Sequence, residues 1–218
     1  MNSRIAVVAV AVVAVVVFAT AAWFYPRLQP APASSPVVGT LEQAGYVRPH
    51  SPMIGPIDAP VTITEFFDPS CEACRAFYPI VKQIMERHPE QVKLVLRYAA
   101  FHEGSDEAVK MLEAARLQDL FLPVLEALLA RQPEWAVHGA PDLDLAWQIA
   151  GEAGLDVERA RQDVLRPGMV GVLNTDMADV ERLGVNQTPT FFVNGKAPAG
   201  TDPQALADLV ASEVAAAE

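Results

Sequence analysis

Seven residues, Val61-Thr62-Ile63-Thr64-Glu65-Phe66-Phe67, lead after one short turn into two cysteines three positions apart, Cys71 and Cys74. The run is β-branched and aromatic and is bounded by Pro60 and by Asp68-Pro69-Ser70, which is the composition of a buried central strand. Beyond it, Ala73, Phe77, Ile80, Val81, Ile84 and Met85 recur at helical spacing as far as His88-Pro89. Ser70 is placed to cap this helix, and Pro79 inside it is expected to kink it. A strand that feeds such a helix puts both thiols in its first turn, next to free backbone N–H groups.

Residues 91–98 read as a second strand, so strand, helix and strand form a βαβ unit with a right-handed crossover. Helical periods then follow over 106–118, 120–131, 143–153 and 157–165, with Gly154 and Pro167 as breaks. A further helix spans about 169–183 and stops at Gly184. Thr190-Phe191-Phe192-Val193 reads as a strand, Asn194-Gly195 as a tight turn, and a last helix starts near Asp202. The fold class is therefore α/β: a βαβ half and a ββα half flank a helical insertion at about 103–165. Trp135 and Trp147 in that insertion read as packing residues.

The domain expected at 61–218 follows two different segments. Residues 5–25 carry no charge and are long enough, at roughly 30 Å as a helix, to cross a bilayer core. They end in Trp23-Phe24-Tyr25, residues suited to the membrane interface. We read residues 1–25 as an uncleaved signal anchor and transmembrane helix. The alternative is a signal peptide cleaved after Ala21, and either reading exports the domain. Residues 26–60 contain eight prolines among small residues and read as an extended tether, in which the stretch 39–47 is able to pair or pack locally. A formal charge of −11 argues against a nucleic-acid partner, since an acidic surface would have to approach a polyanion.

Two thiols at this spacing are arranged for dithiol chemistry. The helix N-terminus favours the Cys71 thiolate as the attacking group, and Cys74, one turn on, is within reach to resolve the product. No organic cofactor is needed. The same spacing is half of a zinc site, but with no further cysteine a metal would have to recruit from His50, His88, His102 and His138. An acid in an apolar strand is costly unless paired or functional, which singles out Glu65; strand alternation that turned it to solvent is the alternative. His102, after the second strand, reads mainly as a loop residue; the alternative is a residue near the cysteines that hydrogen-bonds a partner.

The run from Thr64 to Arg75, with its Glu-Phe-Phe-Asp-Pro-Ser-Cys-Glu-Ala-Cys core, resembles the active-site strand and motif of DsbA-like thioredoxin-fold oxidoreductases. Val185-Asn186-Gln187-Thr188-Pro189-Thr190-Phe191 resembles their cis-proline loop. The resemblance covers about residues 55–215. It implies a thioredoxin fold in which Pro189 is cis and faces the disulfide. It further implies that Thr188 offers its backbone to an extended substrate, and that Glu65 relays a proton to or from Cys74 through water.

Glu72-Ala73 departs from the Pro-His pair of the family's strongest oxidants. A carboxylate there is expected to raise the Cys71 pKa and weaken oxidising power. The function expected is thiol-disulfide exchange between Cys71-Cys74 and cysteines of exported proteins, with a membrane redox partner and a domain on the periplasmic side of an inner membrane. The alternatives are a reductase or isomerase kept reduced by a membrane donor, and a metal-binding module using Cys71 and Cys74.

Overall fold

The structure, a computed structural model, describes residues 40–42 and 44–218. The expected anchor and the first part of the tether lie outside the described residues. Among the described residues no helix is long and apolar enough to cross a membrane.

In chain order the elements are β1 (Met53–Ile54), β2 (Val61–Phe67), α1 (Glu72–Arg87), β3 (Val92–Tyr98), α2 (Ser105–Arg116), α3 (Phe121–Ala130) and α4 (Gln132–Trp135). Then follow α5 (Leu143–Glu152), α6 (Val157–Asp163), α7 (Pro167–Arg182), β4 (Thr190–Val193) and α8 (Pro203–Ala217). The sheet order is β1-β3-β2-β4, with β2 and β3 parallel and both outer pairings antiparallel.

Every residue of β2 and β3 is buried, as expected of strands covered on both faces. Alternation then sorts them. Val61, Ile63 and Phe67 join Leu94, Leu96 and Tyr98 in the main core with Val81 and Ile84 of α1 and with the helical insertion. Phe66 packs on the opposite face with Val180 of α7 and with Val185. Burial of Val81 and Ile84 contributes about 1.5–3 kcal/mol each, which ties α1 to the sheet. The helix stops at His88 because the following Pro89 disfavours a helical residue before it.

Asp202 caps α8 by accepting from the amides of Gln204 and Ala205. Asn194 and Gly195 both take positive φ, and Val193 and Lys196 exchange backbone hydrogen bonds across them, so the tight turn forms as the sequence indicated. The second strand of the ββα half, however, is reduced to that single bridge.

Three expectations need correction. Residues 40–60 are not a bare tether: β1 pairs with β3, and the stretch expected to pack locally does so against the domain itself, with Leu41 and Val47 buried with Val95. Their polar anchor is Arg97, fully buried, which donates to both Asp176 and Asp179 of α7 and to the Gly45 carbonyl; Arg48 and His50 complete the pairs from the N-terminal side. Ser70 does not cap α1. Cys71 itself occupies the cap position, and Ser70 Oγ has no partner among the described residues. Between the expected helices, Gln132–Trp135 forms a short helix of its own, and the Trp135 indole N–H donates to the Leu128 carbonyl.

Candidate active site

Asp68 is the first residue after β2 and organises the turn there. Its backbone carbonyl accepts from the Cys71 amide at 3.1 Å, and its amide meets Cys74 Sγ at 3.5 Å. Its side chain, fully buried, accepts from the Ser70 amide and Ser105 hydroxyl on one oxygen, and from the amides of Phe101 and His102 on the other. The turn is held from the insertion as well. Gln132 Nε2 donates to the carbonyls of Pro69 (2.7 Å) and Cys71 (3.0 Å), while its oxygen accepts from Arg75.

Both cysteines are free thiols in this structure. Cys71 is 5% exposed and Cys74 is 0%, so Cys71 alone offers an approach from outside. Cys71 Sγ lies 3.3 Å from the Thr188 carbonyl, and the Thr188-Pro189 bond is cis. The Cys71 pKa is lowered to about 5. The hydrogen bond from the Cys74 thiol is the largest cause; burial opposes it, and the Thr188 side chain and the amides of Cys74 and Ala73 add to it. The Cys74 thiol is pushed far up, first by burial and then by its bond to Cys71 and the charge of Glu65. One sulfur is thus made a thiolate and the other is kept a thiol.

Glu65 shares the α1 face of β2 with Ile63 and Phe67, as alternation requires. Burial, with the Cys71 charge second, raises it to about 8, and neither carboxylate oxygen has a hydrogen-bond partner among the described residues. The solvent-facing alternative for Glu65 therefore falls: its exposure is 1%.

The Glu72 side chain is exposed and lies 3.7 Å from His138 Nε2, and the thiol beside it is depressed below its ordinary value all the same, because local hydrogen-bond donors outweigh a solvated carboxylate. Ala73 lines a cavity of about 360 Å³ with Phe77, Thr188, Pro189, Phe191 and Leu206, on the flank of the cysteine pair. Its small side chain leaves that cavity open.

For His102 the structure favours the second of the two sequence readings, a hydrogen-bonded residue near the cysteines, whereas Asp68 was legible only as a strand breaker. The structure pairs them, with His102 Nδ1 2.7 Å from Asp68 Oδ2. Nothing in their spacing, 34 positions apart, signals this contact. Gln132 carried no signal either. Among the described residues no three His, Cys, Asp or Glu side chains converge in the way that a metal requires.

Comparison with known proteins gives a consistent picture. The sequence model of a family described as thioredoxin matches residues 48–211. Among solved structures, a thioredoxin-like oxidoreductase from Silicibacter pomeroyi DSS-3 superposes with a TM-score of 0.68 at 30% identity, covering 78% of this chain and 95% of that one. BdbD from Bacillus subtilis (TM-score 0.67, 24% identity, 76% and 94% covered) and alpha-DsbA1 from Wolbachia pipientis (0.69, 17%, 78% and 94%) share the fold. A curated relative, the Na(+)/H(+) antiporter NhaA of Herminiimonas arsenicoxydans, is 31% identical over 142 residues, which is 65% of this chain but 22% of that protein. The chain thus spans about a fifth of the length of that relative.

Proposed function

Since this chain belongs to the thioredoxin family, we propose that it is one of its DsbA-like members, exchanges a Cys71-Cys74 disulfide with cysteines of exported proteins and acts chiefly as a disulfide donor. The observation that carries this reading is the division of labour between the sulfurs: a thiolate-prone Cys71 that keeps a small opening to the outside and a fully buried, protonated Cys74.

In the forward direction a substrate thiolate attacks Cys71 Sγ of the disulfide. The S–S bond breaks, its electron pair leaves on Cys74, and Cys74 takes up a proton. Glu65, raised to about 8 and on the same face of the sheet, is suited to deliver it. A second substrate thiolate then attacks the substrate sulfur of the mixed disulfide and releases the Cys71 thiolate. Two substrate thiols are oxidised and the protein disulfide is reduced by two electrons. A low Cys71 pKa stabilises the reduced form and its departure, which favours donation over reduction.

An extended substrate is accommodated along Thr188-Pro189, and the cavity lined by Phe77, Phe191 and Leu206 suits an apolar side chain beside its cysteine. Reoxidation calls for a membrane disulfide donor. Residues 5–25 would hold the domain at the outer face of the inner membrane; the intact mass of protein recovered from membranes tests this, since loss of residues 1–21 would replace the anchor with a cleaved signal peptide.

The activity is tested by equilibrating the protein with graded ratios of reduced and oxidised glutathione and trapping its free thiols. A reversible transition at oxidising ratios is expected. A transition only at strongly reducing ratios would favour the reductase reading, and the absence of any transition would overturn exchange altogether.

A further inference from the structure

Two cavities meet the active-site turn and share no lining residue. One flanks Pro189; the other, about 220 Å³, is walled by Ser70, Phe101, His102, Glu103, Val137 and His138. We propose that His102, on the wall of this second cavity, and the buried Asp68 behind it form a charge-setting pair for Cys71. The carboxylate holds the imidazole through Nδ1 as a cation beside the cysteine turn, and that cation stabilises the thiolate formed on reduction. The proposal rests on Cys71 being the reacting thiolate, and it makes His102 a positioning residue, not a catalytic one.

The geometry is specific. Asp68 touches both cysteines through its backbone, by way of the Cys71 amide and Cys74 Sγ, and grips His102 twice, at the amide (3.0 Å) and at Nδ1 (2.7 Å). With Nδ1 bonded to a carboxylate, the tautomer and ring plane are set, and Nε2 faces away from Asp68. The ring packs edge-on against His138, with centroids 5.4 Å apart, and His138 in turn approaches Glu72, which lies between the cysteines. A chain of contacts therefore runs from the end of β2 through the loop after β3 and back to the first turn of α1.

The charges facing His102 come from each of these elements. Asp68 lies on the turn after β2, Cys71 and Glu72 at the start of α1, Glu103 next to it on its own loop, and His138 on the loop after α4. All but His138 are acidic. Burial lowers the His102 pKa, but the Asp68 hydrogen bond and charge outweigh it, and the charges of Cys71 and Glu72 add to the rise. Coupling between two titrating groups is reciprocal, so a thiolate that favours the imidazolium is favoured by it to the same extent. Two-electron reduction of the disulfide yields the Cys71 thiolate and, with one proton, the Cys74 thiol. By this coupling it also draws a fraction of a proton onto His102.

The test uses the full chain, reduced, with the Cys71 thiolate followed by ultraviolet absorbance against pH. His102→Gln is expected to raise the Cys71 midpoint by about 0.5–1 pH unit, and His102→Arg, which keeps the charge, to restore most of it. In the unaltered protein, NMR titration should give His102 a higher midpoint in the reduced than in the oxidised form. A folded Gln variant with an unchanged Cys71 midpoint, or a His102 titration identical in both redox states, would overturn the proposal. If the variant fails to fold, the NMR comparison alone decides. Neither readout needs disulfide exchange to occur, so failure of the glutathione equilibrium and failure of this pairing are separate results.

Discussion

Cys71 Sγ and the carbonyl oxygen of Thr188 meet at 3.3 Å although 117 positions separate them. Thr188 acts on the sulfur in two opposed ways: its carbonyl accepts from the thiol and favours the neutral form, while its side chain stabilises the thiolate. The net depression of the Cys71 pKa therefore owes most to Cys74.

That ranking makes Cys74→Ala informative. Without the Cys74 thiol as a donor, the Cys71 pKa should rise from about 5 by one to two units, while the nucleophile itself remains. The pH dependence of alkylation at Cys71 reads this directly. The variant should also accumulate mixed disulfides, because the resolving sulfur is gone. An alkylation profile unmoved from that of the parent would mean that the helix N-terminus, not Cys74, sets the thiolate.

Glu65 links the site to stability. Its pKa in the fold is about 8, against 4.5 for the free side chain, so the native state binds a proton that the unfolded chain has released. Stability contributed by this group is therefore highest below pH 4.5 and falls as pH rises towards about 8. Glu65→Gln removes the ionisation but leaves a buried amide without a partner, so the expected gain near neutral pH is about 1–3 kcal/mol. Between pH 5 and 8 the depressed Cys71 thiol of the reduced protein contributes the opposite slope, so urea denaturation should be nearly flat with pH in the parent and rise with pH in the variant. A variant as flat as the parent would place the titrating group elsewhere.

Arg97 joins the segment before β1 to α7. Replacing it with Met leaves the buried carboxylates of Asp176 and Asp179 without their shared cation, a loss expected to cost about 3–5 kcal/mol. Limited proteolysis should then cut first near Gly45, whose carbonyl the guanidinium holds. A shift in the urea midpoint worth under about 1 kcal/mol would show that Arg48 and Arg182, which also pair with Asp179, are sufficient.

Much of the architecture was legible because it is local. A seven-residue apolar strand, a helix with its apolar positions at the right spacing, an Asn-Gly turn and an Asp cap each declare themselves within a few positions, and all four form where expected. The cysteine pair is local too, since the strand that precedes it and the helix it opens lie in one stretch of chain. The tether was misread for the same reason. The proline-rich segment 49–60 looks extended in isolation, and only the open edge of β3 converts Met53 and Ile54 into a strand.

What the sequence determined by itself is thus the order of elements, the class of fold and the chemistry available at Cys71 and Cys74. Tertiary structure decided how that chemistry is set. Glu65 became a buried acid only because the sheet is covered on both faces, and Glu72 was sidelined because its side chain points to solvent and to His138. Asp68 meets His102, and Gln132 meets the cysteine turn 61 positions away, through contacts that no local periodicity encodes. Short-range pattern governs which dihedrals a segment adopts, whereas pKa values follow from burial and from neighbours brought together in space.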